Sequence, residues 1–318
     1  MAIFYLQISS ISRGAGRRAT AAAAYRAGER LRDERSGELQ NYSRRRDVLH
    51  SEIFLPQQFG GAPPPLWAHS RERLWNTAEH AEKRHNARVA REFQVNLPAE
   101  LAPLERVALA RSFAREISER YRVAVDLAVH APRPGGDPRN FHAHLLATTR
   151  EVTPAGLGAK AGLDMDARER RKRELPDHRQ EFINVRERWA SLTNEALRAA
   201  NLNTRVDHRS LAAQGIDREP LPAIPLMHLK MEQQGVRSEL AEQLRAAYRE
   251  RVAQRLARTA SATAEAPTAL PARDLAEVRR QAREAWLQLR SQALPGVSRA
   301  PARAAEPPAR QAEDDLAL

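Results

Sequence analysis

The chain has 318 residues and is 42% hydrophobic, enough for a core in one large domain or two small ones, while twenty prolines and a mean hydropathy of −0.63 leave part of it outside that core. Fifty-two Lys and Arg against 40 Asp and Glu give a net charge of +12, carried mostly by arginine, which points to a polyanionic partner. The absence of cysteine excludes disulfides, thiolate zinc sites and cysteine catalysis; with no basic leader and no apolar stretch of spanning length, a cytoplasmic protein without membrane insertion is expected.

Phe4, Leu6 and Ile8 alternate with Tyr5, Gln7 and Ser9, which predicts a first strand. It runs into the hydroxyl-rich basic loop Ser9 to Gly16. Thr20 is a predicted N-cap for the alanine run Ala21 to Ala24, which leads to Tyr25, with Gly28 one turn later. In such a helix a tyrosine is ordinarily a packing residue. Arg30 to Asp47 is polar and reads as loop or ragged helix, with the cationic run Arg44-Arg45-Arg46. Glu52 to Leu55 reads as a short strand, Gly60 to Pro65 as punctuation, and Trp67, Leu74, Ala78 and Ala81 recur at helical spacing. Phe93, Val95 and Leu97 then face one way along a strand while Glu92, Gln94 and Asn96 face the other. Leu109, Ala110, Phe113, Ala114 and Ile117 form the apolar stripe of the next helix.

Val123, Val125, Leu127 and Val129 alternate with Ala124, Asp126, Ala128 and His130. A Pro/Gly-rich turn from Ala131 to Asn140 follows, and Phe141 to Leu145 resumes an extended pattern with His142 and His144 on one face. That is an antiparallel hairpin. If His130 leaves the first strand where His142 enters the second, the strand spacing of roughly 4.8 Å gathers three imidazoles around one point. Three nitrogen ligands with an open side suit a catalytic metal. The competing reading is three surface or satisfied core histidines, since a His-x-His pair alone is common.

The predicted fold is therefore α+β: an antiparallel sheet with helices on one face and a polar, metal-binding face carrying Glu92, Gln94, Asp126, His130, His142 and His144. Residues 1–220 are expected to form the active domain. Within it, Gly156 to Lys160 and Arg168 to Glu174 read as an exposed basic arm, and Val185, Trp189, Leu192 and Ala196 mark a helix ending near Asn201. Residues 221–258 are expected to be a helical extension, with a helix from Ser238 to Arg258. Residues 259–318 read as a mostly disordered Ala/Pro-rich tail, with a helix near 275–292.

Several short motifs in this order resemble the MobA/MobL family of plasmid mobilisation relaxases, within the His-hydrophobe-His endonuclease class. They are Ser12-Arg13 after the first strand, the Ala-Ala-Ala-Tyr-Arg-Ala-Gly run around Tyr25, Trp75 to Glu79 with Glu82-Lys83-Arg84, and Asn96 to Leu101. Val129-His130-Ala131, Asn140 to Leu146, and Asp207 to Ser210 with Gln214 to Asp217 complete the set, over about Met1 to Gly235. Gln94 departs from the pattern, standing where some relatives carry a carboxylate.

The resemblance implies that Tyr25 is the nucleophile and that His130, His142 and His144 hold a divalent ion, Mn²⁺ or Mg²⁺. The product would be a 5′-phosphotyrosine link to one strand at an origin of transfer, initiating conjugative mobilisation. Implied partners are single-stranded origin DNA, auxiliary mobilisation proteins and a conjugative coupling protein. A free phenol is almost wholly protonated at neutral pH, so such a nucleophile needs a base or an activated phosphate. Asp126 and Glu92 are candidates to orient a ligand histidine, though an ordinary polar-face role fits Asp126 equally. Arg13, Arg17, Arg18, Lys160, His208 and Arg209 are the DNA-contact candidates, with a structural role preferred for His208. Two other classes fit the same residues: a non-catalytic single-strand-binding protein, and a metal-dependent phosphohydrolase using water.

Overall fold

The computed structural model describes residues 2–57, 64–265, 279–285 and 288, and divides into two units, Met1–Arg218 and Glu219–Leu318. Five segments of alternating polarity in the first unit pair into one antiparallel sheet: β1 (Leu6–Ser12), β4 (Val48–Phe54), β5 (Arg88–Asn96), β6 (Val125–His130) and β7 (His142–Thr148). The strand order is β1-β5-β7-β6-β4, so the two histidine-bearing strands lie side by side within the sheet.

The first face packs under α3 (Pro103–Tyr121) and α5 (His178–Ala199). Phe93, Val95, Leu127 and Leu145 point into that layer, where the Phe113 ring sits 6.2 Å from Phe93 and 5.0 Å from Trp189, centre to centre. Each such buried ring contributes about 1.5–3 kcal/mol of transfer free energy. The second face is not bare along its whole length. Helices α1 (Ala19–Ala27) and α2 (Arg71–Ala81) cover part of it, with Ala23, Ala24, Leu74 and Trp75 packed in one cluster with Ala90, Ala124 and Leu146. The polar, histidine-bearing site occupies the rest of that face.

Several local features differ from the sequence reading. Thr20 does not cap α1, which begins one residue earlier: the Ala19 amide donates to the Glu79 carboxylate of α2 at 2.6 Å, and the buried Thr20 hydroxyl bonds Asp33. A carboxylate from another helix satisfies the orphan amide. Arg30 to Asp47 holds a hairpin of β2 (Arg30–Arg32) and β3 (Leu39–Asn41), whose turn is closed by bonds to both the carbonyl and the carboxylate of Asp33. Trp67 lies in a separate short 3-10 turn (Leu66–His69), because Ser70 caps α2 through its hydroxyl.

The expected basic arm is folded. It forms a hairpin of β8 (Arg150–Thr153) and β9 (Gly156–Lys160), then α4 (Ala167–Lys172), in which the buried Arg170 donates to the carbonyls of Pro176 and Gly162. The second unit contributes α6 (Leu226–Gln233) and α7 (Glu239–Glu265). Residues 259–265, expected to be disordered, are the last turns of α7. Within the predicted helix 275–292, residues 279–285 and 288 are helical, and the remainder lies outside the described residues, as do 60–63, 266–271 and 293–318.

Candidate active site

The register of the hairpin assembles the three histidines. His130 pairs with His142 across β6 and β7, and His144, two residues on, stays on the same face. Their ring centres are 5.0 to 5.4 Å apart, and one ring nitrogen from each lies within 4.8 Å of the others. Among the described residues this is the one group of His, Asp and Glu close enough to share an ion.

Each imidazole is oriented by an oxygen acceptor. His130 Nε2 bonds the carbonyl of Arg26 at 2.7 Å, His142 Nδ1 the carbonyl of Asn140 at 3.0 Å, and His144 Nδ1 the carboxylate of Glu92 at 2.7 Å. These oxygens can only accept, so the bonded nitrogen carries the proton and the other keeps a lone pair. Burial pushes His130 down to about 4 and moves His142 below its ordinary value. Neutral rings follow for His130 and His142, and a set of three imidazole donors suits a divalent transition metal better than Mg²⁺.

Tyr25 lies on α1, whose C-terminal end is docked against this cluster. Gly28, at φ +67°, ends the helix in a left-handed cap, so the last carbonyls lack helical partners. The Arg26 carbonyl goes to His130, and the Tyr25 carbonyl accepts from Arg45 Nη1 at 2.6 Å. The Arg26 guanidinium binds both oxygens of Glu92 at 2.6 and 2.7 Å. Burial alone would raise Glu92, yet the bonds from His144 and Arg26 outweigh it and hold the carboxyl at about 2. The Tyr25 ring is 40% exposed and borders a pocket of about 450 Å³ also lined by Arg17, Arg18, Glu38 and Gln40.

The other candidates separate clearly. Glu92 touches a histidine; Asp126 does not. The Asp126 carboxylate is buried under α2, where Arg71 Nε and Trp75 Nε1 donate to it at 2.8 and 2.9 Å, so it orients no ligand. Arg13 is committed within the protein: its guanidinium binds the Glu79 carboxylate at 2.7 Å and the Glu82 carbonyl at 2.7 Å, and its side chain is buried. Lys160 is likewise committed, its ammonium 2.7 Å from Glu82. Arg17 stays exposed beside Tyr25 and donates to the Ser10 carbonyl, while Arg18 pairs with Glu38 on the pocket rim. His208 takes part through its carbonyl, which accepts from Arg186, and the exposed Arg209 forks onto Asp207.

Arg26, Arg45 and Asp47 were not singled out by sequence. Arg26 follows Tyr25 directly and Arg45 sits in a basic run, but their partners lie on other elements, and no spacing rule connects residues 26 and 130. The acceptor role of a backbone carbonyl leaves no mark in residue type.

A sequence model of the MobA/MobL family matches residues 17–234. Mobilization protein MobL of Acidithiobacillus ferridurans is 38% identical over 241 residues, covering 69% of this chain and 61% of that protein. Conjugal transfer protein TraA of Agrobacterium fabrum is 32% identical over 263 residues, covering 76% of this chain and 23% of TraA. The chain thus spans less than two thirds of the length of either relative. A solved chain described as the molecular basis of vancomycin resistance transfer in Staphylococcus aureus is 30% identical, with a TM-score of 0.55 over 66% of this chain and all of that one.

Proposed function

The chain belongs to the MobA/MobL family, and from that membership we propose that it is a DNA relaxase that nicks one strand at an origin of transfer by tyrosine transesterification. The observation that carries this reading is the bond from His130 to the Arg26 carbonyl, which docks the helix of Tyr25 onto the three-histidine cluster. In the proposed step the Tyr25 phenol oxygen attacks the scissile phosphorus and gives up its proton, the P–O3′ bond breaks, and the 3′ oxygen leaves as a hydroxyl. A 5′-phosphotyrosine link results. No water is consumed, and the retained ester lets a 3′-OH reverse the step.

His130, His142 and His144 would hold a divalent ion, Mn²⁺ fitting the nitrogen donors and Mg²⁺ being the competing choice. Such an ion supplies Lewis-acid polarisation of a non-bridging phosphate oxygen and neutralises charge that develops there. Glu92 and the Arg26 carbonyl orient two of the three imidazoles, and Asn140 the third. Arg17 and Arg18, on the rim of the pocket beside Tyr25, would hold backbone phosphates of the single strand. The relatives' names, mobilization protein and conjugal transfer protein, support a setting in which auxiliary mobilisation proteins and a coupling protein would be partners.

Denaturing electrophoresis after incubation with a single-stranded origin oligonucleotide and Mn²⁺ tests the proposal. Wild type should give a covalent protein-DNA band that EDTA prevents. Tyr25→Phe, which removes only the oxygen, should bind DNA and give neither nick nor adduct. Cleavage without an adduct in wild type would instead assign the attack to water.

A further inference from the structure

We propose that Arg45 is a positioning residue for Tyr25, holding the phenol in the orientation from which it attacks; the inference rests on Tyr25 being the nucleophile. The guanidinium carbon of Arg45 lies 4.1 Å from the centre of the Tyr25 ring, and Nη1 donates to the Tyr25 carbonyl at 2.6 Å. One side chain therefore grips both the ring face and the main chain of the same residue. Tyr42 meets the ring edge-on at 5.2 Å. A tyrosine as exposed as this one would otherwise sample several rotamers, and a nucleophile is in line with the phosphorus in only one of them.

Arg45 is itself fixed in place. Its Nε donates to Asp47 Oδ1 at 2.9 Å and its Nη2 to Oδ2, a planar fork. The Asp47 carbonyl accepts from the Ala131 amide at 2.8 Å, and Val48 pairs with His130 in the sheet. The grip on the phenol is thus anchored in the main chain of the strand that carries the first histidine. The Tyr25 carbonyl is one of the orphan acceptors at the end of α1, where the helix dipole also favours a cation. Lysine could supply the charge but could not fork onto Asp47 while covering the ring.

The test is the rate of cleavage of a single-stranded origin oligonucleotide, measured with its KM and with separate DNA- and Mn²⁺-binding titrations, for wild type, Arg45→Met, Arg45→Lys and Asp47→Asn. Misplacement of an attacking atom predicts that Arg45→Met lowers kcat by about 10- to 100-fold while KM and the Kd for DNA move by less than about threefold. Mn²⁺ affinity should stay at the wild-type value. Arg45→Lys should recover part of the rate, and Asp47→Asn should fall between wild type and Arg45→Met. Should Arg45→Met fail to fold, the two milder variants decide by the same split. Wild-type kcat in all the folded variants, or a loss explained wholly by weaker DNA binding, would overturn the proposal. An adduct that still forms in Tyr25→Phe would overturn the nucleophile reading instead, whatever Arg45 does.

Discussion

Nε2 of His130 donates to the carbonyl of Arg26 at 2.7 Å, joining the histidine cluster to the residue that follows Tyr25. The guanidinium of Arg26 holds Glu92, and Glu92 accepts from His144. One residue therefore orients two of the three imidazoles, through its main chain and its side chain separately. Replacing Arg26 by Met should keep the carbonyl and remove the cation, leaving a buried carboxylate without its bidentate guanidinium. A destabilisation of about 3 kcal/mol is expected in urea unfolding. An unchanged unfolding midpoint would show that His144 alone suffices for Glu92.

Glu92 and Asp126 provide a matched pair for a second prediction. Glu92→Gln should weaken Mn²⁺ binding by about tenfold or more, because His144, a proposed ligand, loses its carboxylate acceptor. Asp126→Asn should leave Mn²⁺ binding near wild type and instead cost about 3 kcal/mol of stability, since the buried Arg71 then keeps only the partly exposed Glu29 as a charged partner. Calorimetric titration and urea unfolding on both variants separate the two effects. Equal loss of metal affinity in both would contradict the roles drawn from the hydrogen bonds.

The histidines themselves should behave as a set. His142→Ala and His144→Ala are each expected to abolish Mn²⁺-stimulated cleavage while the salt-sensitive Kd for DNA changes by less than about threefold, since under the proposed function affinity would come mainly from arginine-phosphate contacts. Full cleavage in either variant, with EDTA still stopping the wild type, would move the metal elsewhere.

Glu82 gives a pH prediction away from the histidines. Burial acts to raise its carboxyl, but Lys160 and Arg150, each at 2.7 Å, hold it below the ordinary carboxylate value. The unfolded chain then binds the proton more readily than the folded one. Stability from this group is therefore complete above the ordinary value of about 4.5 and is lost as pH falls through the lowered one. Glu82→Gln should show a shallower loss of unfolding free energy than wild type as pH falls below about 4.5. Lys160→Met at neutral pH should cost about 1 kcal/mol of stability with little change in DNA affinity, the reverse of a phosphate contact.

Residue pattern alone determined the five strands of the main sheet, the antiparallel hairpin and the shared face of its histidines, because a two-residue repeat fixes the face; the structure then set His130 opposite His142. It also carried the order of motifs around Tyr25. Pattern could not separate Glu92 from Asp126. Both pair with Leu146, one on each side, on the same face and at the same register offset from His144. The packing of α2 decided between them, bringing Arg71 and Trp75 onto Asp126 and leaving Glu92 to His144 and Arg26. Arg13 and Lys160 read as free cations until tertiary contact supplied Glu79 and Glu82. Local sequence specifies the backbone geometry that periodicity reports; the partner of a buried charge is chosen by whichever element covers it, and that choice is made only when the layers close.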